Sequence, residues 1–151
     1  MLLPCLSIVN YVCFDARKEY IQAAQAQYGD RATFYCNQVS AETITEHSQF
    51  DLVLAVGVLH HLDDAEALQL CCLAEAALKP GGRFITFDGC YLPSQSHIAR
   101  YLLSRDRGQN VRDREGYTKI VSQVFSKDIV VGIRHDLLRI PYTHIILECT
   151  K

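Results

Sequence analysis

The chain's 151 residues are 49% hydrophobic and 21% charged, with 15 basic and 17 acidic side chains. These proportions belong to an ordinary globular protein, and a net charge of −2 offers no basic footprint for nucleic acid. No apolar run reaches the roughly 18–20 residues that a membrane-spanning helix needs, so neither nucleic acid nor membrane is expected as a partner. The opening MLLPCLSIV is apolar but has no basic start and no small-residue cleavage site, which argues against a secretory signal. Seven cysteines without CxxC spacing then read as free thiols of a cytoplasmic protein, with no metal site expected. A single domain over residues 1–151 is expected.

Strand and helix signals alternate along the chain. Residues 10–15 (NYVCFD) read as a short apolar strand ending in an acid. Residues 17–28 read as a helix with Tyr20, Ile21, Ala24 and Tyr28 on one face and Gly29 at its end. Residues 32–36 (ATFYC) form the next strand, followed by Asn37, Gln38 and a weak helix over 41–47. Residues 50–55 are almost wholly apolar, as in a strand buried on both faces of a parallel sheet. Asp63 or Asp64 caps the next helix, and Ala67, Leu70, Leu73 or Ala74, and Ala77 make its apolar stripe. Pro80 stops that helix, Gly81 or Gly82 takes the positive φ of the turn, and residues 83–88 (RFITFD) are the following strand. After a polar loop, residues 97–105 are a helix with Ile98, Tyr101 and Leu102 on one side. Residues 105–114 are a charged connector, and 115–125 a second helix with Tyr117, Val121 and Val124 or Phe125 inward. Two terminal strands, 129–134 and 143–149, complete an α/β pattern with an antiparallel end.

Residues 50–89, with FDLV, LHHL and LKPGGRFI at fixed spacings, closely resemble the post-cofactor half of class I S-adenosylmethionine-dependent methyltransferases. The region from SRDRG through RHDLLRIPYTH is similar to a subgroup of bacterial enzymes of that fold. The resemblance implies a Rossmann-like sheet with flanking helices and a C-terminal antiparallel strand pair, and S-adenosylmethionine as cofactor. It also implies a first strand and a glycine-rich loop of the form DxGxGxG, whereas no glycine precedes Gly29. The chain therefore reads as a family domain lacking that strand, unless residues 6–10 substitute for it. Loss of a central strand would leave strands 10–15 and 50–55 to pair directly, or expose edges that favour a homodimer.

The resemblance also assigns candidate residues. Asp15, at the end of the second family strand, would accept both ribose hydroxyls of the cofactor. A helix cap is the competing role, since capping needs only one carboxylate oxygen. Asn37 and Gln38 would meet the adenine in place of the usual acid, and Ala55 and Val56 would lie beneath the cofactor. His60, beside His61, is the catalytic candidate, because imidazole can take a substrate proton near neutral pH; one buried and one solvated ring is the competing reading. Tyr91, Arg100, Arg105, Asp106 and Arg107 fall where the substrate is covered. The arginines can hold a carboxylate or phosphate, or join Asp106 in a solvated salt-bridge cluster. The expected function is methyl transfer to a small-molecule acceptor. The alternatives are a non-enzymatic remnant serving as an interaction module, and a dinucleotide-binding oxidoreductase, against which LHHL and LKPGGRFI argue.

Overall fold

The computed structural model describes residues 10–47, 49–126 and 128–151, without the side chains of Asp30, Thr45 and Glu46. The substitute strand considered at residues 6–10 falls almost wholly outside that set. The chain divides into two compact units, with the boundary between Ser40 and Ala41.

In the first unit β1 (Val12–Phe14) runs parallel to β2 (Thr33–Tyr35). α1 (Lys18–Tyr28) and a 3-10 turn over Gly29–Arg31 connect them. Phe14 and Tyr35 are register partners, and their rings stack with centroids 5.2 Å apart. α1 buries Ile21 and Ala24 as its spacing requires, while Tyr20 is exposed and lies beneath the Arg17 guanidinium instead.

The second unit begins with α2 (Ala41–Glu46) and holds a four-stranded mixed sheet. β3 (Phe50–Val56) pairs in parallel with β4 (Leu78–Gly89), which pairs antiparallel with β6 (His144–Thr150). β6 in turn pairs antiparallel with β5 (Val130–Arg134). The expected antiparallel end is thus present. α3 (Asp64–Ala77) crosses over between β3 and β4, and α4 (His97–Ser104) and α5 (Arg114–Val121) lie between β4 and β5. Alternate residues of β4 and β6, namely Phe84, Thr86, Asp88, Ile145, Leu147 and Cys149, are buried on one face. Cys71 and Ala74 of α3, Tyr117, Ile120 and Val121 of α5, and Phe125 close the core over most of them. Full removal of such side chains from water contributes about 1.5–3 kcal/mol each.

Several details depart from expectation. β3 is not buried on both faces. Val53 and Ala55 meet the core, but Leu52 and Val56 point to the opposite face and are 41% and 63% exposed. β3 ends its sheet, and α3 and α5 cover only one side of it. The α3 stripe keeps the expected Ala67, Ala74 and Ala77 but adds Cys71, with Leu70 half-buried and Cys72 outside. That helix ends at Ala77, before Pro80, with Leu78 already extended. Gly81, at φ 78°, belongs to a register shift inside β4 rather than to a helix-ending turn. α4 buries Ala99 and Leu103, whereas Ile98 and Tyr101 are exposed.

The start of α3 was legible locally. Asp63 accepts from Glu66 N at 2.9 Å, and Glu66 Oε2 accepts from Asp63 N at 3.0 Å, a reciprocal capping box. Asp63→Ala leaves Glu66 N without its acceptor and is expected to cost about 1 kcal/mol, whereas Asp63→Asn costs far less. Thermal unfolding of the two variants checks this, and equal loss in both would mean that the carboxylate acts through its charge.

Candidate functional site

In open α/β sheets ligands collect beyond the carboxyl ends of parallel strands. In the second unit β3 and β4 end side by side, with Val56 opposite Phe87. Just beyond β3, Leu59–His61 form a 3-10 turn that carries the His60 backbone to the end of β4. There Asp88 Oδ1 accepts from His60 N at 3.2 Å and lies 2.7 Å from His60 Nδ1. On the other side of the ring, His60 Nε2 is 3.5 Å from Asp106 Oδ1. Asp106 Oδ1 also accepts from Gly108 N at 3.2 Å, and Oδ2 accepts from the Tyr142 hydroxyl at 2.5 Å.

The chain around this cluster is tied down twice. Asn110 N donates to His60 O at 3.0 Å. The Arg112 guanidinium donates to the carbonyls of Leu59, Leu62 and Asn110 and to Asp64 Oδ1. One arginine therefore fastens the 105–112 connector to the turn that carries His60. Tyr117 donates from its hydroxyl to Gly89 O at 2.9 Å and holds the end of β4 against α5.

Electrostatically the cluster is an imidazole between two carboxylates. The hydrogen bond to Asp88 raises the His60 pKa; burial opposes this, and the charges of Asp88 and Asp106 add to it. Burial pushes the Asp88 carboxyl up, against the pull of His60's hydrogen bonds. Asp106, although burial works against it, is held below the usual carboxylate range by Tyr142 and by backbone N–H groups. Beside the cluster the His144 ring stacks on Phe87 at 4.6 Å and meets the Tyr142 ring at a tilt at 4.8 Å, and burial lowers its pKa. Among the described residues no group of three His, Cys, Asp or Glu side chains is placed to hold a metal.

The candidate residues fall as follows. In the first unit Asp15 sits just past β1 and donates from its backbone N to Tyr35 O at 3.2 Å. Its Oδ1 accepts from Arg17 N at 2.7 Å, and Oδ2 has no partner among the described residues. Asn37 and Gln38 follow β2 and are exposed, so β1 and β2 bring these three residues to one end of their sheet. In the second unit Ala55 is buried and Val56 exposed, at the end of β3. His60 is buried and His61 exposed, their rings 4.1 Å apart, in line with the one-in, one-out reading. With both nitrogens facing carboxylates, His60 has the surroundings of an imidazolium, not of a free base. The salt-bridge cluster expected of Arg105, Asp106 and Arg107 does not form, because Asp106 turns inward to Tyr142 and His60. Asp88, Arg112 and Tyr142 were not singled out as a site. The available signal for Asp88 was an acid closing an otherwise apolar strand, the same pattern that marked Asp15.

Residues 1–84 match the family described as "Methyltransferase domain". No curated protein matches the chain. Among solved structures, the pyocyanin biosynthetic protein PhzM is similar at 15% identity and a TM-score of 0.70, over 99% of this chain and 45% of its own. A putative O-methyltransferase from Nostoc punctiforme is 17% identical with a TM-score of 0.69, over 95% and 44%. The N-methyltransferase NodS from Bradyrhizobium japonicum, in complex with S-adenosyl-L-homocysteine, is 13% identical with a TM-score of 0.67, over 94% and 66%. The chain thus spans less than half the length of the first two. These likenesses establish the α/β fold, and with more than half of its residues matched, the chain belongs to the methyltransferase domain family.

Proposed function

We propose that this chain is an S-adenosylmethionine-dependent methyltransferase domain acting on a small-molecule acceptor. The observation that carries the cofactor is the Asp15 carboxylate. One oxygen is spent on the start of α1 and the other is free at the carboxyl end of a parallel strand. That acceptor suits a ribose diol, because an ionised carboxylate only accepts and a diol supplies two donors. Asn37 and Gln38, exposed beside it, offer amide groups for adenine. The bound cofactor supplies an activated methyl group, so the protein's task is to orient the acceptor and exclude water. His60 belongs to this reading as a positioning residue, fixing the turn after β3 to Asp88 and to the 105–112 connector.

Asp15→Asn keeps an oxygen for Arg17 N but loses the negative charge. It is expected to weaken S-adenosylhomocysteine binding at least about tenfold, or 1.4 kcal/mol, with little change in unfolding temperature. Asp15→Ala is expected to lower both. Calorimetry with S-adenosylhomocysteine, and with NAD as a control, tests the assignment. Undiminished binding by Asp15→Asn would remove Asp15 from the ribose, and preference for NAD would favour the oxidoreductase reading.

A further inference from the structure

Two basins open on the second unit. One, of about 410 Å³, is lined by Asp64, Arg112, Asp113 and Lys119, among others. Its guanidinium is already committed to Asp64 and to backbone carbonyls, and Asp113 caps α5 through Gly116 N. The other, of about 330 Å³, lies between Tyr91, two residues past the end of β4, and α4. It is lined by Tyr91, His97, Arg100, Tyr101 and Ser104.

This second basin holds uncommitted charge. The Arg100 guanidinium lies 5.3 Å from the centre of the Tyr91 ring, and Arg105 lies 5.4 Å from that of Tyr101. Neither arginine has a carboxylate partner among the described residues. The acid next to them in sequence, Asp106, faces Tyr142, Gly108 N and His60. α4 also presents Ile98 and Tyr101 outward, at 63% and 57% exposure, instead of burying them. Within the basin, the Arg100 guanidinium lies over Tyr91 without a carboxylate partner among the described residues and beside the exposed Tyr101, which suits a ligand that is both flat and anionic. The charge meets Arg100 in a fork of N–H donors, and the ring lies against tyrosine. The basin is open to solvent and has room for one small ring with its carboxylate.

We propose that this basin is the acceptor subsite and that it takes an aromatic acid, held through its carboxylate by Arg100, with His97 as a further donor and Tyr91 and Tyr101 against the ring. This rests on the methyltransferase reading for the word acceptor, but the binding itself does not depend on it.

The test is a titration of the whole chain with benzoate, benzamide and inorganic phosphate, followed by NMR shifts of the Arg100 Nε–H and of the tyrosine rings. Benzoate is expected to bind at the basin, with benzamide and phosphate each at least fivefold weaker. Arg100→Gln, at an exposed position, is expected to raise the benzoate dissociation constant at least fivefold, while Arg139→Gln does not. Equal binding of benzamide would overturn the role of the charge, and equal binding of phosphate would overturn the role of the ring. Absence of benzoate shifts, with the same residues shifting as protein concentration rises, would make the patch a protein contact and overturn the proposal. A parallel titration with S-adenosylhomocysteine separates the two readings. Benzoate binding without it sinks the methyltransferase reading alone, and the converse sinks the subsite alone.

Discussion

Gly108→Ala is expected to lower the unfolding temperature of the second unit by roughly 6–12 °C, corresponding to about 3 kcal/mol. A β-carbon at Gly108 would stand 1.9 Å from His60 Cδ2 and 2.7 Å from His60 O. Neither neighbour can retreat cheaply. The ring is held between Asp88 and Asp106, and the carbonyl accepts from Asn110 N. Gly132→Ala is the control, because a β-carbon there meets nothing closer than 3.8 Å. Circular dichroism melts compare the two, and a Gly108→Ala melt within about 2 °C of the parent would mean that the connector is not seated against His60. In a His60→Ala background the ring clash is gone, so the same substitution should cost less, a coupling that a double-mutant cycle measures.

His60→Ala is expected to cost about 3 kcal/mol at neutral pH, because it leaves Asp88 buried without its partner. Its pH dependence has a definite sign. The folded pKa of His60 lies above its ordinary 6.5. The stability it contributes is therefore fully present below about pH 6.5 and is lost as pH rises through the folded value. His144 works in the opposite direction. Burial holds its folded pKa below 6.5, so stability is lost as pH falls from 6.5 through that lower value. The raised carboxyl of Asp88 acts in the same sense as His60, its contribution being lost as pH rises from 3.8 through its folded value. Asp106, held below 3.8, loses its contribution only as pH falls further. Between pH 5 and 8, below the range in which the buried thiols Cys71, Cys90 and Cys149 come into play, the two histidines set the pH dependence and place maximum stability near pH 6.5. Melts across that range should show His60→Gln flattening the alkaline limb and His144→Phe the acid limb. An alkaline limb unchanged by His60→Gln would refute the imidazolium assignment.

Local chemistry made much of the fold legible. The Asp63–Glu66 box depends on residues three apart and was readable from neighbours alone; the strand over RFITFD was readable from its apolar content, but its buried face was not, because Thr86 and Asp88 are buried beside Phe84. Nor was the α4 face. Ile98–Tyr101 and Ala99–Leu103 are both acceptable stripes at helical spacing, and the choice is made by Gly89, whose bare Cα lets Leu103 approach the end of β4. The His60 cluster was least legible, because its partners lie 28, 46 and 82 positions away in sequence (88 − 60, 106 − 60 and 142 − 60). His60 was visible as a candidate. That acids face both of its nitrogens follows only from the crossover through α3 and the return of the connector.

The adjacent thiols of α3 make the protein its own recorder of local opening. Cys72 meets solvent, while Cys71, one residue earlier on the same turn, is fully buried with its pKa pushed up to about 12. A thiol reagent must wait for α3 to lift from the sheet before it reaches Cys71, whereas Cys72 reacts from the folded state. The ratio of the two labelling rates, read by mass spectrometry on one peptide, is then the equilibrium constant for that lifting, with reagent concentration and intrinsic exposure to solvent compared within a single helical turn.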